Sequence, residues 1–175
     1  NDNGALGEKK AERNSSAVLV DLYPTLVELC GITGNGGQKN YLPTDRKIDG
    51  ISMAQLIKTD KVIHTEESPI LHMKREKIKA VQYAVPTAEV KALYPEYNYD
   101  ILNDDYISFK YFEKIQNDNS AFFDKNRKNW LHILNDDYAE NYNRTPVYPE
   151  ISEQYKAKMH EIMDGFKENR RGIIE

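Results

Sequence analysis

The sequence predicts an α+β fold, in which a small antiparallel sheet of about four strands is packed by a long C-terminal helix and preceded by a short strand-helix unit. Three observations predict it. The runs Ile70–Met73, Ile78–Ala84, Tyr106–Glu113 and Trp130–Leu134 are rich in β-branched and aromatic residues and are separated by polar or proline-containing breaks. After Pro149, a segment free of proline repeats Ile151, Tyr155, Met159, Ile162 and Phe166 at the spacing of one helix face. Near the N-terminus, the apolar Ala17-Val18-Leu19-Val20 reads as extended and runs into a segment of helical periodicity.

In that first unit Asp21 is a good helix N-cap and Pro24 falls in the first turn, where a missing N–H costs nothing. Leu22, Leu26, Leu29 and Cys30 share a face, and Gly31 supplies the C-terminal stop. The glycines and polar residues from Gly34 to Asp45 predict a loop, Asp49-Gly50 a turn, and Ser52 to Ile57 a short helix. Pro86 bounds the second strand because it cannot donate to a ladder. Thr87 to Leu93 has helical character ended by Pro95, and Tyr94 to Tyr99 shows no period and reads as loop. The hexapeptide Ile-Leu-Asn-Asp-Asp-Tyr occurs at 101–106 and 133–138 with unlike flanks, so both copies read as strand ends entering Asx-type turns rather than as a solenoid repeat. Arg170-Arg171 suits the negative end of the last helix.

A length of 175 residues predicts one domain, 39% apolar and 30% charged residues predict a core inside a polar, loop-rich shell, and the mixed charges sum to only -4. That balance offers no field for nucleic acid phosphates. The basic cluster His72-Met73-Lys74-Arg75 with Lys77 and Lys79 reads as a solvated strand edge. A single cysteine excludes a disulfide framework and a zinc site of paired thiolates, and Cys30 reads as a small core residue. The longest apolar stretch, Ala17 to Ile32, is interrupted by Asp21, Pro24 and Glu28 and is no membrane span, and no signal segment is present.

Few motifs carry chemistry. Asp2-Asn3-Gly4 sets a carboxylate beside an amide oxygen, both hard donors suited to calcium or magnesium, although any Asx-Gly turn has the same look. His64, His72, His132 and His160 have no metal-site spacing; His72 and His132 read as sheet histidines and His160 as an exposed helix residue. Nucleophile-elbow, phosphate-loop and dinucleotide fingerprints are absent from the sequence. Asn14-Ser15-Ser16 and Asn143-Arg144-Thr145 satisfy the glycosylation sequon, which matters only in a eukaryotic secretory setting.

One combination is more specific. Val18-Leu19-Val20-Asp21-Leu22-Tyr23-Pro24-Thr25-Leu26-Val27-Glu28-Leu29-Cys30-Gly31, followed by Asp49-Gly50-Ile51-Ser52-Met53, resembles the sulfatase pattern of a strand, an Asp-Leu-Tyr-Pro-Thr helix start and an Asp-Gly-x-Ser turn. Trp130 to Asn141 resembles the strand and acidic turn before the final helix of the same family, in the alkaline phosphatase superfamily, with arylsulfatase and iduronate-sulfatase-like members nearest. The resemblance implies that residues 1–33 are a remnant of the catalytic-domain strand-helix unit and 66–175 the C-terminal sheet and helix subdomain; residues 87–126 are unmatched.

Sulfatases hydrolyse sulfate esters with a formylglycine made from Cys or Ser in a Cys/Ser-x-Pro-x-Arg motif, beside a calcium ion. No such motif occurs in these 175 residues, and Cys30 is followed by Gly31 and Ile32, so no catalytic nucleophile is expected in this chain. By resemblance Asp2 and Asn3 match two late calcium ligands, while Lys9 and Lys10 are the only lysines placed to stand for a sulfate-contacting lysine. The implied setting is periplasmic, secreted or lysosomal, and the implied partners are a sulfated small molecule or glycan and a sulfatase catalytic domain, with no nucleic acid and no membrane. Two other readings stay open: a non-catalytic module binding a sulfated glycan or a partner protein, and part of a related phosphoester or phosphonate hydrolase.

Overall fold

The computed structural model describes residues 15–32, 48–59, 61–74, 77–96, 105–113 and 129–168. The chain divides into two compact units, residues 1–68 and 69–175.

In the first unit, the expected strand at Ala17–Val20 gives way to a single turn of 3-10 helix, Leu19–Asp21, preceded by Val18, which is extended at φ -129° and ψ 161°. The reason is local: Asp21 N–H donates to the Val18 carbonyl (3.0 Å), and the Asp21 carboxylate reaches back to Val18 N–H (2.9 Å). That closes the turn where an isolated strand would leave both groups unpaired. Helix α1 follows directly as Leu22–Leu29. It ends as the sequence predicts, with Gly31 at φ 68°, Gly31 N–H donating to Glu28 O and Ile32 N–H to Val27 O, the paired bonds of a Schellman stop.

The apolar face expected to point inward does the reverse. Pro24, Thr25 and Val27 are buried, whereas Leu22, Leu26 and Leu29 are 40 to 52% exposed and Leu19 84%. Cys30, expected in the core, is exposed at the helix C-cap. The predicted helix at Ser52–Ile57 is α2, Ala54–Thr59, with Ser52 Oγ accepting the Ala54 N–H (3.2 Å) and Ala54 and Leu56 buried.

The second unit is a four-stranded antiparallel sheet in the order β1 (Ile70–Lys74), β2 (Lys77–Pro86), β3 (Tyr106–Phe112) and β4 (Trp130–Ile133). Helix α3, Thr87–Leu93, follows β2 with its first N–H on Asp105 O (2.8 Å), and α4, Pro149–Glu168, packs on the sheet. Side chains alternate across a strand, so Val81, Tyr83 and Val85 share a face with Ile107, Phe109 and Tyr111 and with Leu131 and Ile133. Onto this face α4 lays Ile151, Tyr155 and Met159, with Ile162 half-buried, as its period predicts. Phe166, assigned to the same stripe, is 47% exposed.

An aromatic cluster closes the core. Tyr155 stacks on Tyr83 with centroids 3.7 Å apart and donates its hydroxyl to the Tyr83 carbonyl (2.6 Å), while Tyr148 meets Phe109 edge-on. β4 is short, and its outer edge is occupied by the chain that follows: Leu131 N–H donates to Asn143 Oδ1 (3.1 Å) and Leu131 O accepts Arg144 N–H (2.7 Å). No helix among the described residues is long and apolar enough to cross a membrane.

Removing the Tyr155 hydroxyl in Tyr155→Phe is expected to cost about 1 kcal/mol in urea unfolding, the usual net worth of one buried hydrogen bond. Met159→Ala is expected to cost about 2 to 5 kcal/mol and Phe166→Ser less than about 0.5 kcal/mol. A Phe166 effect as large as that of Met159 would contradict the assignment of the helix face.

Candidate functional site

The residues of the first unit converge on Asp21, a fully buried side chain. Its Oδ1 accepts the N–H of Ile51 (2.9 Å), and its Oδ2 accepts Val18 N–H (2.9 Å) and faces His64 Nε2 at 2.8 Å. One helical turn on, Thr25 Oγ1 donates to the Asp21 carbonyl (2.5 Å) and accepts the N–H of Met53 (2.8 Å). Asp21 therefore does not cap α1 forward as the sequence predicts; it spends its carboxylate on three other segments. Burial alone would raise its carboxyl, yet the Ile51 and Val18 N–H groups and the His64 ring outweigh that and hold it below 3.8.

Gly50 is fixed by close approach. A Cβ there would lie 2.0 Å from the carbonyl oxygen of Val20, so only glycine lets the 48–53 turn lie against the start of α1. The two segments joined by a single resemblance in the sequence are thus joined by hydrogen bonds and backbone contact.

As a catalytic arrangement this centre is closed. His64 is buried, with Nδ1 2.9 Å from Ser68 O and Nε2 on Asp21, so neither nitrogen is left to move a proton at a substrate. The nearby hydroxyl, Thr25 Oγ1, is engaged on both sides.

The second unit carries a polar row on the sheet face opposite the aromatic cluster. Gln82 pairs with Lys110 and Lys110 with His132 across the strands, and His72 Nε2 donates to Gln82 Oε1 (3.1 Å). Lys110 Nζ donates to Glu140 Oε1 at 2.6 Å. Glu140 sits in the left-handed region at φ 57°, strained for a residue with a Cβ, in a turn held by Asp137, whose two oxygens accept Asn141 and Tyr142 N–H (2.9 and 2.8 Å). His132 Nδ1 lies 3.9 Å from Asp137 Oδ2, beyond hydrogen-bond reach.

Desolvation lowers both imidazoles below 6.5, helped at His72 by the Lys110 charge, and at His132 it prevails over the Glu140 and Asp137 carboxylates. Asp137 is lowered in turn: burial raises it, and the Asn141 and Tyr142 N–H bonds and the His132 and Arg144 charges prevail. Neutral imidazoles beside one lysine and two carboxylates form a row with no positive excess to hold an anion. As predicted, His72 and His132 are sheet residues; His160, on α4, is half-exposed and faces both oxygens of Glu113 at 3.0 and 3.1 Å.

The sites expected from sequence fall elsewhere. Asp2, Asn3, Lys9 and Lys10 lie outside the described residues, as does Asn14. Among the described residues, no group of three or more His, Cys, Asp or Glu side chains could hold a metal ion. Asn143, in the second sequon, commits its amide to Leu131 N–H, Thr145 N–H and Asn129 O. The second copy of the repeated hexapeptide ends β4 and enters a turn as expected, while Tyr106 of the first copy begins β3. Asn135 of the second copy donates to Tyr106 O (3.2 Å) and accepts Ser108 N–H (2.7 Å), so one copy grips the end of the other.

No family model and no curated protein matches this chain.

Gly50→Ala is expected to destabilise the first unit by more than about 2 kcal/mol, because the backbone facing it must move; an unchanged amide protection pattern at Asp21 and Ile51 would refute the close approach. For pH, the unfolded chain protonates His72 and His132 near 6.5 while the folded chain resists, so stability falls as pH drops through that value. Asp21, lowered on folding, adds stability above 3.8 that is lost only as pH falls further. Urea midpoints of the second unit, read at Trp130 on β4, should decline from about pH 8 to 5, and His72→Gln with His132→Gln should flatten that decline.

Proposed function

We propose that this chain is the C-terminal part of a sulfatase that hydrolyses sulfate esters, with sulfated carbohydrate as the substrate class. The observation that carries the reading is the bonding of the Asp21-Leu22-Tyr23-Pro24-Thr25 helix start to the Asp49-Gly50-Ile51-Ser52-Met53 turn. Asp21 Oδ1 takes Ile51 N–H, Thr25 Oγ1 takes Met53 N–H, and Gly50 admits the Val20 backbone. Asp21, Thr25 and Gly50, three of the residues that define the resemblance, thereby have a physical task, which a chance match of the same letters would not require. The order of β4, an acidic turn built on Asp137, and a long last helix adds to it.

The nucleophile belongs to another segment, since no Cys/Ser-x-Pro-x-Arg motif occurs in these residues. In the whole enzyme a formylglycine and a calcium ion would supply the attack on sulfur and the stabilisation of sulfate charge. Asp2 and Asn3 are the proposed share of this chain in the calcium site, and Lys9 or Lys10 its sulfate contact. The described residues contribute scaffolding. The exposed Leu19, Leu22, Leu26 and Leu29 give α1 an apolar side suited to packing on a catalytic domain. The whole protein would work in a periplasmic, secreted or lysosomal setting.

Purified alone with added calcium, the chain is expected to release no product from an aryl sulfate; turnover would overturn the placement of the nucleophile elsewhere. The reading frame upstream of Asn1 should contain a Cys/Ser-x-Pro-x-Arg motif, and a frame opening within a few codons of Asn1 would favour a sulfated-glycan or protein-binding module instead. Leu26→Glu should shift the stability of the chain by less than about 0.5 kcal/mol, as for an exposed site. The same change should weaken its association with the co-expressed upstream segment.

A further inference from the structure

We propose that His64 is a buried imidazolium that latches residues 61–68 onto the start of α1 through Asp21, and that the latch opens when the ring loses a proton. Both atoms facing the ring can only accept: Nδ1 meets the Ser68 carbonyl oxygen at 2.9 Å and Nε2 meets Asp21 Oδ2 at 2.8 Å. A neutral imidazole has one N–H and can serve only one of them, leaving a lone pair against a lone pair at the other. The carboxylate is a poor source of the missing hydrogen. Oδ1 already takes Ile51 N–H and Oδ2 takes Val18 N–H, donors that favour its ionised form.

The surroundings leave this pairing undiluted. Glu28 on α1 is half-buried, and Asp49 in the turn, Lys58 on α2, and Lys61, Glu66 and Glu67 on the 61–68 segment are exposed. Of all these groups only His64 acts on the Asp21 charge. Loss of a ring proton turns one of the two short contacts repulsive and removes the charge partner of Asp21. The segment 61–68 then separates from α1, and the Val18 and Ile51 amides lose a charged partner for the carboxylate they share. The latch responds to rising pH, opposite in sign to His72 and His132.

The test uses the whole chain with 15N-labelled histidine, reading ring nitrogen shifts alongside amide protection factors at Val18 and Ile51. At about pH 6, below the ordinary histidine value, both His64 nitrogens should carry protons. As the ring loses its proton, protection at Val18 and Ile51 should fall in step with the shift change, by about tenfold or more. His64→Gln has its donors on one nitrogen and an acceptor oxygen at the other position, where the ring meets two acceptors, and should show low protection with no pH response. One unprotonated His64 nitrogen at that pH, or protection unchanged through the ring titration, would overturn the proposal; the wild-type spectra decide it even if the variant does not fold.

Discussion

The Asp21 carboxylate organises the first unit. It is buried, so its charge must be met, and it is met by groups from three places: Val18 just before it, Ile51 in the turn, and His64 farther along. Each of those segments is short, and α2 has six residues, too few to hold a helix by its own propensity. Their order comes from tertiary hydrogen bonds to one side chain and to its neighbour Thr25. The arrangement is economical and brittle, because loss of that carboxylate strands two backbone donors and the His64 ring at once.

The second unit follows a different physical logic. Its order rests on an apolar face shared by β2, β3, β4 and α4, with aromatic rings at the centre. The sheet face opposite that cluster is polar and neutralises itself through Lys110, Glu140 and the two imidazoles. Such a layer tolerates single changes better than the Asp21 centre does, since no one group there collects three donors.

What the sequence made legible follows from period and punctuation. The strands, α3, α4 and the stop at Gly31 were readable because their signals lie within a few neighbouring residues. Three features were not. Val18 to Asp21 has the composition of a strand, and only the backward reach of a carboxylate makes it a helical turn. The outward face of α1 has the right spacing for a core face, but spacing does not tell which side a partner lies on. His64 stands between Ile63 and Thr65 with nothing to mark it, and its partner is 43 residues away in sequence. Lys110 and Glu140, 30 residues apart, were equally silent. Long-range pairs between ordinary polar residues leave no local trace.

The covering of β4 has a consequence for how the chain behaves in company. A terminal strand with free N–H and C=O groups invites a strand from another molecule, the first step of ordered aggregation. Here Asn143 and Arg144 take those groups at Leu131, so the sheet cannot be extended past that point. At the opposite side β1 is five residues long, carries Lys74 and is interrupted by a bulge at His72/Met73, all of which spoil a template. A sheet this rich in tyrosine and phenylalanine thus meets its neighbours through side chains rather than by sharing its backbone.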